Sequence, residues 1–147
     1  MRALPLFAAT LFVSSALLFV IEPMFARMLL PQLGGAPAVW NTCLAFYQLA
    51  LLGGYLYAHA LTAWLGVRRQ AVLHLGLGLL GFALLPLAAR GSFTPPAGAD
   101  PTPWLFAELS IAVGLPFVVL SASAPLLQRW FAHSASSSPY PAVTARL

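Results

Sequence analysis

From residue 39 to residue 64 the chain carries no Asp, Glu, Lys or Arg. At 1.5 Å rise per residue, roughly 20 apolar residues cross a hydrocarbon core of about 30 Å, so this run is long enough to span a bilayer as one helix. Within it Asn41, Gln48, Tyr55 and His59 stand seven, seven and four residues apart, with Ala45 and Leu52 between them, which places them on one helical stripe. In hydrocarbon such groups lose the hydrogen bonds of water, so the stripe is expected to face other helices or a wet cavity. Gly54 and Ala58 form a small-xxx-small pair that lets a neighbouring helix come close.

Composition extends this from one segment to the chain. Of 147 residues, 61% are hydrophobic and only 7% charged, and the mean hydropathy is +0.87. An ordinary soluble domain is about one-quarter charged, so the sequence reads as an integral membrane protein. All seven basic residues are arginines placed between apolar runs, a pattern that speaks to topology and not to nucleic acid. The single cysteine, Cys43, can make no internal disulfide and reads as a small buried apolar residue. The length accommodates one small bundle, without room for a separate catalytic domain of normal size.

The sequence therefore predicts an all-α, polytopic fold with four transmembrane helices, at about 4–21, 39–64, 71–89 and 104–131, in a domain covering 1–133. The first apolar run is longer than a signal-peptide core, and no small-x-small cleavage site follows it before Glu22-Pro23. Pro23 favours a kink, while Glu22 and Arg27 either meet near the interface or cap a helix end in headgroup water. Residues 31–37 and 90–103 are rich in Pro and Gly and read as connections, and 134–147 as a disordered cytoplasmic tail. In the fourth span Ser110, Gly114, Ser121 and Gln128 recur at four, seven and seven, a second small or polar stripe, and Pro116 and Pro125 should bend the helix.

Arg2, Arg68, Arg69, Arg129 and Arg146 fall on one side of such a bundle, with Arg27 and Arg90 on the other, which predicts both termini inside. The expected location is the bacterial inner membrane, multi-pass, with the lipid bilayer as first partner. Trp40, Trp64, Trp104 and Trp130 each stand at an expected end of the second or fourth span, where amphipathic rings meet headgroups.

No dinucleotide fingerprint, phosphate loop or HExxH is present. The three histidines, His59, His74 and His133, lack acidic or Cys companions at metal-ligand spacing, so neither a metal nor a cofactor is expected. The residues nominated for a polar cavity are Glu22, Arg27, Asn41, Gln48, Tyr55, His59 and Gln128. Structural hydrogen bonds between helices account for the same set.

Three segments, FVSSALLFVIEPMFARMLLPQLGGAPAVWNTCLAFYQLALLGGYLYAH, the Arg68-Arg69 loop and VGLPFVVLSASAPLLQRWFA, together resemble the N-terminal membrane part of bacterial spermidine synthase-like integral membrane proteins, the fused MFS/spermidine synthase type. The resemblance covers residue 11 to about residue 133. It implies a membrane anchor that, in the family, precedes a cytosolic Rossmann-like domain similar to polyamine aminopropyltransferases. Here Ser138-Pro139-Tyr140 begins the family's continuation and 141–147 departs from it. None of the family's catalytic or cofactor residues is carried over, so the expectation is a truncated gene product with no catalysis by this chain alone. The alternatives are a small oligomeric transporter, and a membrane subunit that recruits a separate soluble aminopropyltransferase-like protein.

Overall fold

The computed structural model describes residues 3–29, 37–88 and 100–136, and within them the chain is helical with no strand. Helix α1 is Ala3–Leu29, α2 is Pro37–Trp64 and α3 is Val67–Ala88. A fourth rod is built from α4 (Pro101–Leu109), a π-helical turn at Ser110–Gly114, and α5 (Leu115–Ser136). The connection expected at 31–37 lies outside the described residues apart from Pro37, and most of that at 90–103 does too. At the end of the latter, Asp100 is an N-cap whose carboxylate accepts from the Thr102 N–H at 2.9 Å, and Pro101 opens α4 without sacrificing a donor. That hydrogen bond holds the Asp100 carboxyl below its ordinary value.

Several boundaries differ from expectation: α3 opens at Val67, not 71, so Arg68, Arg69 and Gln70, expected in a loop, stand in its first turn. Helix α1 continues through Glu22-Pro23 to Leu29, because Pro23 removes only one ladder bond while Phe25 and the fully packed Ala26 anchor the next turn in the core. The tail expected to be disordered from residue 134 is still helical to Ser136, with His133 in the last turn, where a basic side chain suits the helix dipole. Residues 137–147 of that tail lie outside the described residues.

The fourth rod is the axis of the bundle, with α1, α2 and α3 all packed against it. Its Leu105, Leu109, Val113 and Phe117 interlock with Val39, Cys43, Phe46 and Tyr47 of α2 and with Ala26 of α1. A second cluster joins Ala58 and Leu61 to Ala122 and Leu126. Between the two clusters the helices touch at Gly54, where an added Cβ would collide with Ser121 Oγ and stand 2.8 Å from the Val118 carbonyl oxygen. The close approach expected at Gly54 and Ala58 is thus present, against α5. Gly81 of α3 faces Pro116 more loosely, an added Cβ there making ordinary contact at 3.4 Å. Since Pro116 cannot donate into the ladder, the π turn before it absorbs the mismatch.

Several Ser and Thr hydroxyls are satisfied within their own helices. Thr10, Thr42, Ser110 and Ser123 each donate to the carbonyl four residues earlier, at 2.7–3.0 Å. Outward surfaces are strongly apolar, with Phe12 74%, Phe19 78%, Val72 74% and Phe82 75% exposed. Two helical stretches, Leu4–Met28 and Thr102–Ser134, are long and apolar enough to cross a membrane by length and composition. Only 6% of the most apolar window of the first is buried within the chain. Such a surface demands lipid or an apolar partner.

Candidate functional site

Helix α1 leans on α5 and barely meets α2, so an open-sided groove is left between α1 and α2 with α5 as its floor. Two adjoining cavities follow it and share Tyr55. The first, of about 350 Å³, is lined by Ser15, Leu18, Phe19 and Glu22 of α1, Tyr47, Gln48, Leu51 and Tyr55 of α2, and Phe117, Ser121 and Ala124 of α5. The second, of about 400 Å³, lies towards the C-terminal ends of α2 and α5 and is lined by Tyr55, Ala58, His59 and Thr62 with Pro125, Gln128 and Arg129.

Five of the seven nominated residues therefore come together: Glu22, Gln48 and Tyr55 in one cavity, Tyr55, His59 and Gln128 in the other. Arg27 and Asn41 line neither. Glu22 and Arg27 are five residues apart on a continuous helix, about 140° around its axis, so they project from different faces. Asn41 is exposed near the start of α2.

Of the two surroundings expected for the polar stripe of α2, other helices or a cavity, its residues do not lie in the packed seam with neighbouring helices, and Gln48, Tyr55 and His59 line the cavities. Within the single chain Asn41, Ala45, Gln48, Leu52, Tyr55 and His59 are all exposed, whereas Cys43, Tyr47, Gly54 and Ala58 are buried. Tyr47, Gly54 and Ala58 each precede a stripe residue by one position, so the packed seam runs about 100° from the stripe. The cause is steric. Small residues and rings that interlock decide the contact on a helix that is apolar all round, and the polar groups are left on the groove's rim. On α5 the stripe splits in the same manner, Ser121 being buried at the seam and Gln128 exposed in the groove.

Pro23 within α1 and Pro125 within α5 deprive the carbonyls four residues earlier, those of Phe19 and Ser121, of their ladder donors. Nearby, the Tyr47 hydroxyl is buried with no hydrogen-bond partner, and its ring meets Phe117 at a centroid distance of 4.9 Å.

Tyr47 was not among the nominated residues, since nothing in its spacing separates it from core aromatics. A second polar group also escaped the sequence reading. Gln70, at the start of α3, donates to the Leu65 carbonyl at 2.6 Å and accepts from Trp130 Nε1 at 2.8 Å, tying the α2–α3 turn to α5. Beside it His74 Nε2 meets Ser123 Oγ at 3.1 Å, and the imidazole stacks on Tyr57 at 6.0 Å. Nothing in the spacing of Gln70 and His74 marks them as a pair, and only the fold brings Trp130 and Ser123 to them. Among the described residues, no three His, Cys, Asp or Glu side chains converge as a metal ion would require.

Among the described residues, the first cavity offers the Glu22 carboxylate and the Ser15 and Gln48 side chains in apolar and aromatic walls, and the second adds His59, Gln128 and the Arg129 guanidinium. No family model, curated protein or solved structure matches this chain.

Proposed function

We propose that the chain is a four-span helical module of the bacterial inner membrane, both termini cytoplasmic, that serves as the membrane part of a spermidine synthase-like protein and carries no catalysis itself. The observation that carries the membrane reading is the distribution of side chains. Large apolar groups cover the outward faces of α1, α2 and α3, while Arg68, Arg69 and Arg129 fall at the end where α2 closes, α3 opens and α5 finishes. Arginines collected at one end of an apolar bundle are retained on the cytoplasmic side. The family assignment rests on the motifs of residues 12–59 and 113–132.

The test is topology followed by activity. In a Cys43→Ala background, single cysteines at Arg69 and at Asp100 are expected to react with an impermeant maleimide from the cytoplasmic and the opposite side, respectively. Release of the chain by alkaline carbonate, or labelling of both sites from one side, overturns the membrane reading. Transfer of an aminopropyl group by the purified chain overturns the anchor reading. Co-purification with a soluble aminopropyltransferase-like protein favours the recruiting-subunit form of it.

The adjoining cavities favour a second reading, a transporter working as an oligomer, since four helices are few to seal a path. It predicts that Gln48→Leu and Gln128→Leu abolish uptake into vesicles, and uptake unaffected by both removes it.

A further inference from the structure

The cavity of about 400 Å³ towards the C-terminal ends of α2 and α5 is opposite in sign to its neighbour. Arg129 lines it and, among the described residues, no carboxylate does. Glu22 is too distant to neutralise that charge. Phe7 of α1 meets the ring of Phe131 at 5.2 Å, so this end of α5 lies level with residue 7, and Glu22 stands fifteen residues, roughly 22 Å, further along α1.

Gln128, His59 and Tyr55 line the same cavity, and each has an N–H or O–H to donate. The Thr62 hydroxyl is already spent on the His59 carbonyl at 2.9 Å. His59 stands five residues, roughly 8 Å, before Trp64, whose 84%-exposed ring belongs at headgroup level. The donors therefore sit where lipid phosphates give way to acyl chains. Through the shared Tyr55 the cavity adjoins the one walled by Leu18, Phe19 and Leu51, an apolar track open between α1 and α2. At the same end Arg68 and Arg69 line a further opening with His133, which adds to a positive field.

A guanidinium among neutral donors complements a phosphodiester, whose two free oxygens match its planar fork. A zwitterionic headgroup brings an ammonium for which this cavity has no counter-charge, whereas a headgroup of net negative charge brings none. Inorganic phosphate satisfies the donors but leaves the apolar track empty.

We propose that this cavity binds a phospholipid of net negative charge, its phosphodiester held by Arg129 with His59, Gln128 and Tyr55 as donors, and one acyl chain laid along the groove between α1 and α2. The inference rests on the membrane reading above and not on the family resemblance.

The test titrates the full chain, in micelles of neutral detergent, with dioleoylphosphatidylglycerol, and separately with dioleoylphosphatidylcholine and with inorganic phosphate. Thermal unfolding followed by tryptophan fluorescence is expected to shift upward, saturably, with the anionic lipid at a concentration at least ~10-fold lower than with the zwitterionic one, and not with phosphate. Arg129→Gln should weaken the apparent affinity for the anionic lipid by at least ~10-fold, and Arg129→Lys, which keeps the charge and loses the fork, by less. Arg68→Gln combined with Arg69→Gln should weaken it by less than about 5-fold, as exposed charges do. An equal response to both lipids overturns the proposal, as does an equal response to phosphate. So does a loss in the Arg68/Arg69 double variant as large as that in Arg129→Gln, which would mark diffuse attraction to the surface. If Arg129→Gln does not fold, the lipid comparison in the unmodified chain and the Arg129→Lys titration decide. Failure of the membrane reading shows itself separately, as release of the chain by carbonate.

Discussion

Replacing Gly54 by alanine sets two effects against each other. An alanine at an exposed helical position gains about 0.4–1 kcal/mol over glycine through lower backbone entropy in the unfolded chain. At position 54, however, the new methyl would overlap Ser121 Oγ, stand 2.8 Å from the Val118 carbonyl oxygen and 3.0 Å from Ser121 Cβ. The Ser121 hydroxyl cannot simply swing aside at no cost, because it donates to that same Val118 carbonyl at 2.9 Å. Since one obstacle is backbone, α2 and α5 must separate by a few tenths of an ångström, loosening Ala58 and Leu61 against Ala122 and Leu126. Overpacking of this kind costs about 1–3 kcal/mol, so the steric effect wins.

Gly53 is the internal control, as a Cβ there meets nothing within 4 Å. Gly54→Ala should therefore be less stable than Gly53→Ala by about 1–3 kcal/mol, roughly a 5- to 150-fold difference in the unfolding equilibrium. Reversible unfolding in mixed detergent micelles, read by tryptophan fluorescence, measures it. Ser121→Ala should recover part of the loss, with a coupling of about 0.5–3 kcal/mol, while the Val118 carbonyl keeps the rest in place. Equal stability of the two glycine variants would refute the close packing of α2 on α5.

Three further outcomes are expected. Trp130→Phe leaves the oxygen of a 3%-exposed Gln70 without its donor and should cost about 1–3 kcal/mol in the same assay, with an unchanged midpoint counting against the clasp. Leu126→Ala, at 0% exposure, should cost about 2–5 kcal/mol, whereas Leu79→Ala, 62% exposed on α3, should be nearly neutral in the same assay; equal costs would contradict this division between packed and exposed positions. Because the Asp100 carboxyl is held below its ordinary value by the Thr102 N–H, its cap is fully present above the unfolded carboxylate's pKa and is lost as pH falls through the lower folded value; protection of the Thr102 amide, taken relative to its intrinsic exchange rate at each pH, should fall over that window and stay constant there in Asp100→Ala.

How the groove arises explains why only part of it was legible. Pro23, Gly54, Pro116 and Pro125 act through the backbone, and such residues announce themselves in a sequence whatever surrounds them. Accordingly the close contact at Gly54 was readable, and so was some distortion near Pro116, though not that it takes the form of a π turn. Polar residues in an apolar helix also stand out, and five of those nominated do line the groove. Their direction was not readable, because on α2 apolar residues surround the polar stripe on every side and periodicity has little to contrast.

By itself, then, the sequence determined that the chain is helical, that its surface is too apolar for water alone, and where small residues permit close approach. These follow from hydrogen-bond economy and side-chain volume, which are local. Tertiary structure alone decided that α1 rests on α5 and leaves α2 apart, that the Tyr47 hydroxyl is buried without a partner, and that Trp130 reaches Gln70 across 60 residues of chain. Those contacts depend on which of several equally apolar faces interlock, and that choice is made by shape complementarity between distant segments.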